Sequence, residues 1–100
     1  MTVLNVTTII DEQIKDEFLE YLQHVHIPLV LSTGKFEKHQ LLQLTEPVNE
    51  GLTFCVQYFA KSASDLEDFK ASFLDKIDSG LSTKFGNRAL SFKSVLESLD

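Results

Sequence analysis

Positive charge is scarce in this chain. Nine lysines and arginines stand against fifteen acids in 100 residues, for a net charge of −6. Nucleic-acid binding draws most of its affinity from neutralising phosphates, and the sequence offers no basic stripe for that purpose. DNA, RNA and anionic membranes are therefore not expected as partners. Cysteine occurs once, as Cys55, so no disulfide can close within the chain and nothing calls for an oxidising compartment. The opening MTVLNVTTIIDE lacks the basic region and long apolar run of a signal peptide. No apolar run approaches the ~20 residues of a membrane-spanning helix. A cytoplasmic location is expected. Internal repeats, linkers and low-complexity tracts are also missing. The Asn5-Val6-Thr7 sequon falls inside a strand pattern and reads as chance.

What remains is the composition of an ordinary globular domain, 43% apolar and 24% charged. One hundred residues suffice for a single domain with one core, spanning 1–100. Residues 3–10 are rich in β-branched side chains and predict a strand. Asp11 is a natural N-cap for the helix that follows, whose stripe is Ile14, Phe18, Leu22, Val25 and Leu29. Pro28 disfavours helical geometry at Ile27, so the helix should kink or restart there, with residues 26–34 as its irregular end and Gly34 as a left-handed cap. Strands are expected over 36–45 and 52–60, joined by a turn carrying Pro47, Asn49 and Gly51. Ser64 and Glu67 form a capping box for a second helix with the stripe Leu66, Phe69, Phe73, Ile77 and Leu81. Gly80 should loosen its end, and residues 88–95 predict the last strand.

Strand, helix, hairpin, helix, strand is the split β-α-β pattern. It predicts an α+β, ferredoxin-like two-layer sandwich: a four-stranded antiparallel sheet with two helices on one face. Alternation divides the strands. Even positions Leu4, Val6, Leu42, Leu44, Phe54, Val56, Tyr58, Leu90 and Phe92 should meet the helices. Odd positions, among them Val3, Asn5, His39, Leu41, Cys55, Gln57 and Phe59, should form a mixed outer face. Such a face suits an interface, and a two-fold homodimer packed sheet against sheet is the simplest one.

No strong catalytic or metal constellation stands out. His24 and His26 are two apart, which on a helix turns them to different sides, and no further ligand cluster supports a metal. His24 is simplest as a partner of Glu20, one turn away. His26 lies where the helix breaks. Its ring can bond freed carbonyls, or reach a cavity near Tyr58 or Tyr21. Tyr58 should be core, with a hydroxyl in need of a partner. Asn5, His39 and Gln57 on the outer face either pair across a dimer interface or orient a small ligand. Cys55 reads as a small hydrophobe in a central strand. No cofactor is expected.

The segments VHIPLVLSTGKF (25–36), TFCVQYF (53–59) and FGNRALSFKSVL (85–96), with NVTTIID (5–11), resemble a bacterial family known as domain of unknown function 4286. The resemblance implies a ferredoxin-like domain similar to the dimeric α/β-barrel group, which includes cofactor-independent monooxygenases, isomerases and ligand-sensing domains. It assigns no activity, because one fold hosts many unrelated sites. Two readings follow. The first is a cytoplasmic homodimeric binding or interaction module without catalysis. The alternative is a cofactor-independent enzyme, monooxygenase- or isomerase-like, acting on a small apolar molecule. Candidate ligand-binding residues are Asn5, His26, His39, Gln57 and Tyr58.

Overall fold

The computed structural model describes residues 1–48 and 50–100; the expected turn residue Asn49 lies outside them. The strands are β1 (Thr2–Ile10), β2 (Phe36–Gln43), β3 (Leu52–Ala60) and β4 (Ala89–Glu97). They form one antiparallel sheet in the order β2-β3-β1-β4. The first helical arm comprises a 3-10 turn at Glu12–Ile14, α1 (Lys15–Tyr21), a π-helical turn at Leu22–His26 and α2 (Ile27–Ser32). The second comprises α3 (Ala63–Ser72) and α4 (Leu74–Phe85). Both arms pack on the same sheet face: Phe18 of α1 lies 5.8 Å from Phe54, and Phe69 of α3 lies 4.9 Å from Phe36, ring centre to ring centre. The predicted α+β, ferredoxin-like architecture is the observed one.

Local chemistry sets the ends. The Gln13 N–H donates to Asp11 Oδ1 at 2.9 Å, which starts the first arm as expected. The second arm is capped by Ser62 rather than Ser64: the Asp65 N–H donates to Ser62 Oγ at 3.1 Å, and the Ser62 hydroxyl donates back to the Asp65 carboxylate. Ser62 is preferred because its backbone is still extended, whereas Ser64 is already helical. Gly80 does not loosen α4; the break falls at Phe73 between α3 and α4. Nor is the segment after Pro28 irregular. Pro28 sits in the first turn of α2, directly after the π turn, and the helical backbone runs through it from Leu22 to Ser32. Gly34 takes a positive φ of 76° just beyond it. Gly51, at φ 77°, enters β3 so close to β1 that a Cβ there would stand 2.5 Å from the Ile10 carbonyl oxygen.

Two stripe expectations change. The π turn holds more residues than an α turn, so it advances the first arm's inner face. The buried series is Ile14, Phe18, Leu22, His26, Ile27 and Val30, while Val25 and Leu29 are exposed. In the second arm the break at Phe73 turns that ring outward, and Leu66, Phe69, Leu81 and Phe85 carry the core.

Register corrects the strand faces. Leu4 pairs with Tyr58, so even meets even across β1 and β3, and Leu4, Phe54, Val56 and Tyr58 join the core as predicted. At both edges the parity reverses. Val56 pairs with Leu41 and Val6 with Lys93. An irregularity between Phe36 and Lys38 lets Phe36 stay inside while the rest of β2 shifts by one. Consequently Leu41 packs on the core, whereas Leu42, Leu44, Leu90 and Phe92 are exposed and belong to the outer face. His39, paired with Tyr58, sits on the helix side of the edge strand and not on the outer face. Lys38 lies over the Phe59 ring at 4.7 Å, as expected for neighbours on the outer face.

These positions predict a contrast in stability. Phe54→Ala should cost about 3–5 kcal/mol in urea unfolding, because it empties a packed ring site. Phe73→Ala should cost no more than about 1 kcal/mol, because that ring is already part-solvated. Equal losses would contradict the assigned core.

Candidate functional site

The candidate site lies between the helical arms and the sheet, where His26 and Tyr58 are buried within the field of the Asp78–Lys93 ion pair. His26 is 5% exposed and Tyr58 is 1% exposed. Among the described residues, neither His26 Nδ1 nor the Tyr58 hydroxyl has a hydrogen-bond partner. Unpaired buried polar atoms are uncommon because each one loses its hydration without compensation. The Tyr58 hydroxyl arrives there because even positions of β3 face inward. His26 arrives because the π turn carries it into the series Phe18, Leu22, His26. Hydrophobic periodicity alone could not place it, since an α-helical count favours Val25.

Charge reaches the pair from the second arm and the edge strand. Lys93 Nζ of β4 lies 2.6 Å from Asp78 Oδ2 of α4, both about one-third exposed. Burial lowers the His26 pKa below its ordinary 6.5; the Asp78 carboxylate pulls it back up and Lys93 adds to the lowering. The Tyr58 hydroxyl is pushed well above its ordinary value, first by burial and then by Asp78. At neutral pH the site therefore presents a neutral imidazole and a protonated phenol beside a neutralised ion pair. That set can orient a carbonyl or hydroxyl, and it can pass a proton. Asp78 and Lys93 were not singled out from the sequence. Alternation alone would put Lys93 on the outer face; its pairing with Val6 brings it to the helix side.

A cavity of about 300 Å³ opens beside this cluster, lined by Asp78, Lys93, Ser91, Ser82, Leu81 and Ala89 among others. Ser91 Oγ lies 2.9 Å from Thr8 Oγ1. His26 and Tyr58 do not form part of this lining.

The remaining sequence candidates lie elsewhere. Asn5 and Gln57 are register partners on the outer face, and Asn5 Nδ2 donates to Thr7 Oγ1 at 3.2 Å. Cys55 Sγ lies 3.5 Å from the same Thr7 oxygen. His39 is exposed on the helix side of β2. The five candidates thus do not share one pocket: His26 and Tyr58 are each buried in the interior, and Asn5 and Gln57 are paired on the outer face. His24 is exposed, with Nε2 3.7 Å from Glu20 Oε2, while His26 is buried, so the two rings do not converge on one point.

Two measurements follow. Because the folded state holds His26 below its unfolded pKa, the unfolded chain binds the extra proton first. The stability due to neutral His26 is complete above pH ~6.5 and is lost as pH falls below that value toward the folded pKa. Urea midpoints should therefore drop from pH 7 to pH 5, and His26→Gln should flatten that slope. Tyr58→Phe removes an unpaired buried hydroxyl and keeps the ring. It should leave stability unchanged or raise it by up to about 1 kcal/mol. A clear loss would mean that the hydroxyl has a partner in the folded protein.

Comparison with known proteins bears on the fold. An ethyl tert-butyl ether d family protein of Bacillus halodurans matches with TM-score 0.74 at 16% identity, over 99% of this chain and 100% of that one. A dimeric ferredoxin-like protein from an uncultured marine organism matches with TM-score 0.73 at 14% identity, over 99% and 94%. SnoaB, a cofactor-independent oxygenase from Streptomyces nogalater, matches with TM-score 0.70 at 11% identity, again over 99% and 94%. At such identities the likeness establishes the fold alone. No functionally curated protein matches the chain. Residues 1–99 match the family described as domain of unknown function (DUF4286), and the chain belongs to that family.

Proposed function

We propose that the protein is a small cytoplasmic homodimeric binding module without catalysis, dimerising through the outer sheet face and holding a small molecule in the cavity lined by Asp78, Ser91 and Lys93. The observation that carries this reading is the apolar character of the outer face. On β4 Leu90 is 53% exposed and Phe92 59%, with Leu96 exposed on the same strand, and Leu42 and Leu44 are exposed at the opposite edge of the sheet. The half-buried Ile9 and Phe59 extend the same face across the central strands. A contiguous apolar surface of this kind is uncommon on a monomer and marks an interface. Asn5 and Gln57 lie within it, where a two-fold partner can satisfy their amides. A structural neighbour described as a dimeric ferredoxin-like protein lends support at the level of the fold. The ligand half of the reading rests on that cavity of about 300 Å³ and its polar lining, whose Asp78 also acts on the buried His26 and Tyr58.

Light scattering at micromolar concentration should give about twice the 11.3 kDa chain mass. Phe92→Glu combined with Leu90→Lys should yield a folded monomer with an unchanged circular dichroism spectrum. A wild-type monomer at that concentration would remove the dimer from the reading.

The second reading, a cofactor-independent oxygenase- or isomerase-like enzyme acting on a small apolar molecule, is favoured by one feature. A neutral imidazole beside Asp78 can accept a proton. Turnover of such a molecule that disappears in both His26→Gln and Tyr58→Phe, with the fold intact, would replace the first reading by the second.

A further inference from the structure

The helix layer carries a second concavity that neither the dimer nor the His26–Tyr58 pair uses. It is a groove of about 280 Å³ between α2 and the α3–α4 junction, floored by Tyr21, Leu29, Phe73 and Ile77. Leu29 and Phe73 are large apolar side chains left exposed there. The π turn and the break at Phe73 turn them outward, so the groove results from the same two helix irregularities that reshape the core. Gly80 gives it depth: a Cβ at that position would stand 2.9 Å from the Tyr21 hydroxyl.

The polar groups at its rim choose the occupant. Ser32 Oγ donates to the Leu29 carbonyl and Thr33 Oγ1 to the Val30 carbonyl, each at 2.7 Å, so both hydroxyl protons are already committed. Lys76 is the one charged residue of the lining. Unlike Lys35, Lys70 and Lys93, it makes no ion pair among the described residues. An apolar floor with a free ammonium at the rim matches a molecule with an apolar body and one acidic head. The volume sits just below the range of ligand pockets, roughly 300–1,000 Å³, which suits a small molecule rather than a protein segment. The groove belongs to the helix layer, so a dimer formed through the opposite sheet face leaves it open.

We propose that the groove between α2 and α4 binds a small amphipathic carboxylate, its apolar body against Tyr21, Leu29, Phe73 and Ile77 and its carboxylate on Lys76. The occupant would touch Tyr21, whose ring centre is 6.4 Å from that of His26, so binding there should register at the histidine.

Sodium octanoate is the probe, with n-octylamine as its charge-reversed control, titrated into the full chain and followed by amide and His26 ring NMR shifts. Octanoate should bind about tenfold or more tightly than octylamine, with shifts centred on Leu29, Phe73 and Ile77. Lys76→Glu should reverse the preference, and Leu29→Glu should weaken octanoate while leaving the fold unchanged. Equal affinity for the two probes, or no shift at about 10 mM octanoate, would overturn the proposal. Shifts centred on Leu90 and Phe92 would also overturn it, since they would mark unspecific adsorption to the outer sheet face.

Discussion

The π-helical turn at Leu22–His26 is the constraint on which the interior of this protein depends. An α-helix continued through that segment would present Val25 to the sheet and leave His26 outside. The wider turn brings His26 into line behind Phe18 and Leu22 and exposes Val25 and Leu29 instead. An imidazole replaces a methyl-bearing side chain at the heart of the helix–sheet contact. A buried polar ring without a partner lowers stability, and a fold tolerates it where the surrounding core is strong. Here Phe18, Phe36, Phe54, Phe69 and Phe85 supply that core, with the Phe18 and Phe85 rings meeting edge to face at 5.6 Å.

Pairing parity plays the corresponding part in the sheet. The two central strands share one parity, and each edge strand is offset against its neighbour by one residue. The outer face thereby gains Leu42, Leu90, Phe92 and Leu96, and the helix side gains Lys93 and His39. One set of pairings thus creates both the apolar outer surface and the inner ion pair. Moving β4 by a single residue would exchange Lys93 for Phe92 and abolish both.

Element order, the sheet and most of the core were legible in the sequence because each element carries its own period. The β-branched run of β1, the alternation of β3 and the stripe through Phe18 and Leu22 are local signals, and they hold. Facing at the edges was not legible, because parity between strands depends on turn geometry and on the irregularity at Phe36, which leave no trace in alternation. The site was legible in half. His26 and Tyr58 could be named because a histidine before a proline and a tyrosine in an apolar strand are unusual in kind. Asp78 and Lys93 could not, since each reads as a solvated charge until α4 and β4 are brought together. The outward turn of Phe73 was hidden for a similar reason: a helix that breaks between two good helix-forming stretches keeps its apolar spacing on paper.

Gly51 fixes where the hairpin can vary. Its positive φ and its approach to the Ile10 carbonyl pin the start of β3 against the end of β1, beside the Ile10–Leu52 pair. The two central strands are therefore clamped downstream of the loop, independently of what the loop contains. Residues added or removed between Leu44 and Glu50 would be absorbed before the clamp, so that connection can change length without shifting the inward facing of Phe54, Val56 and Tyr58.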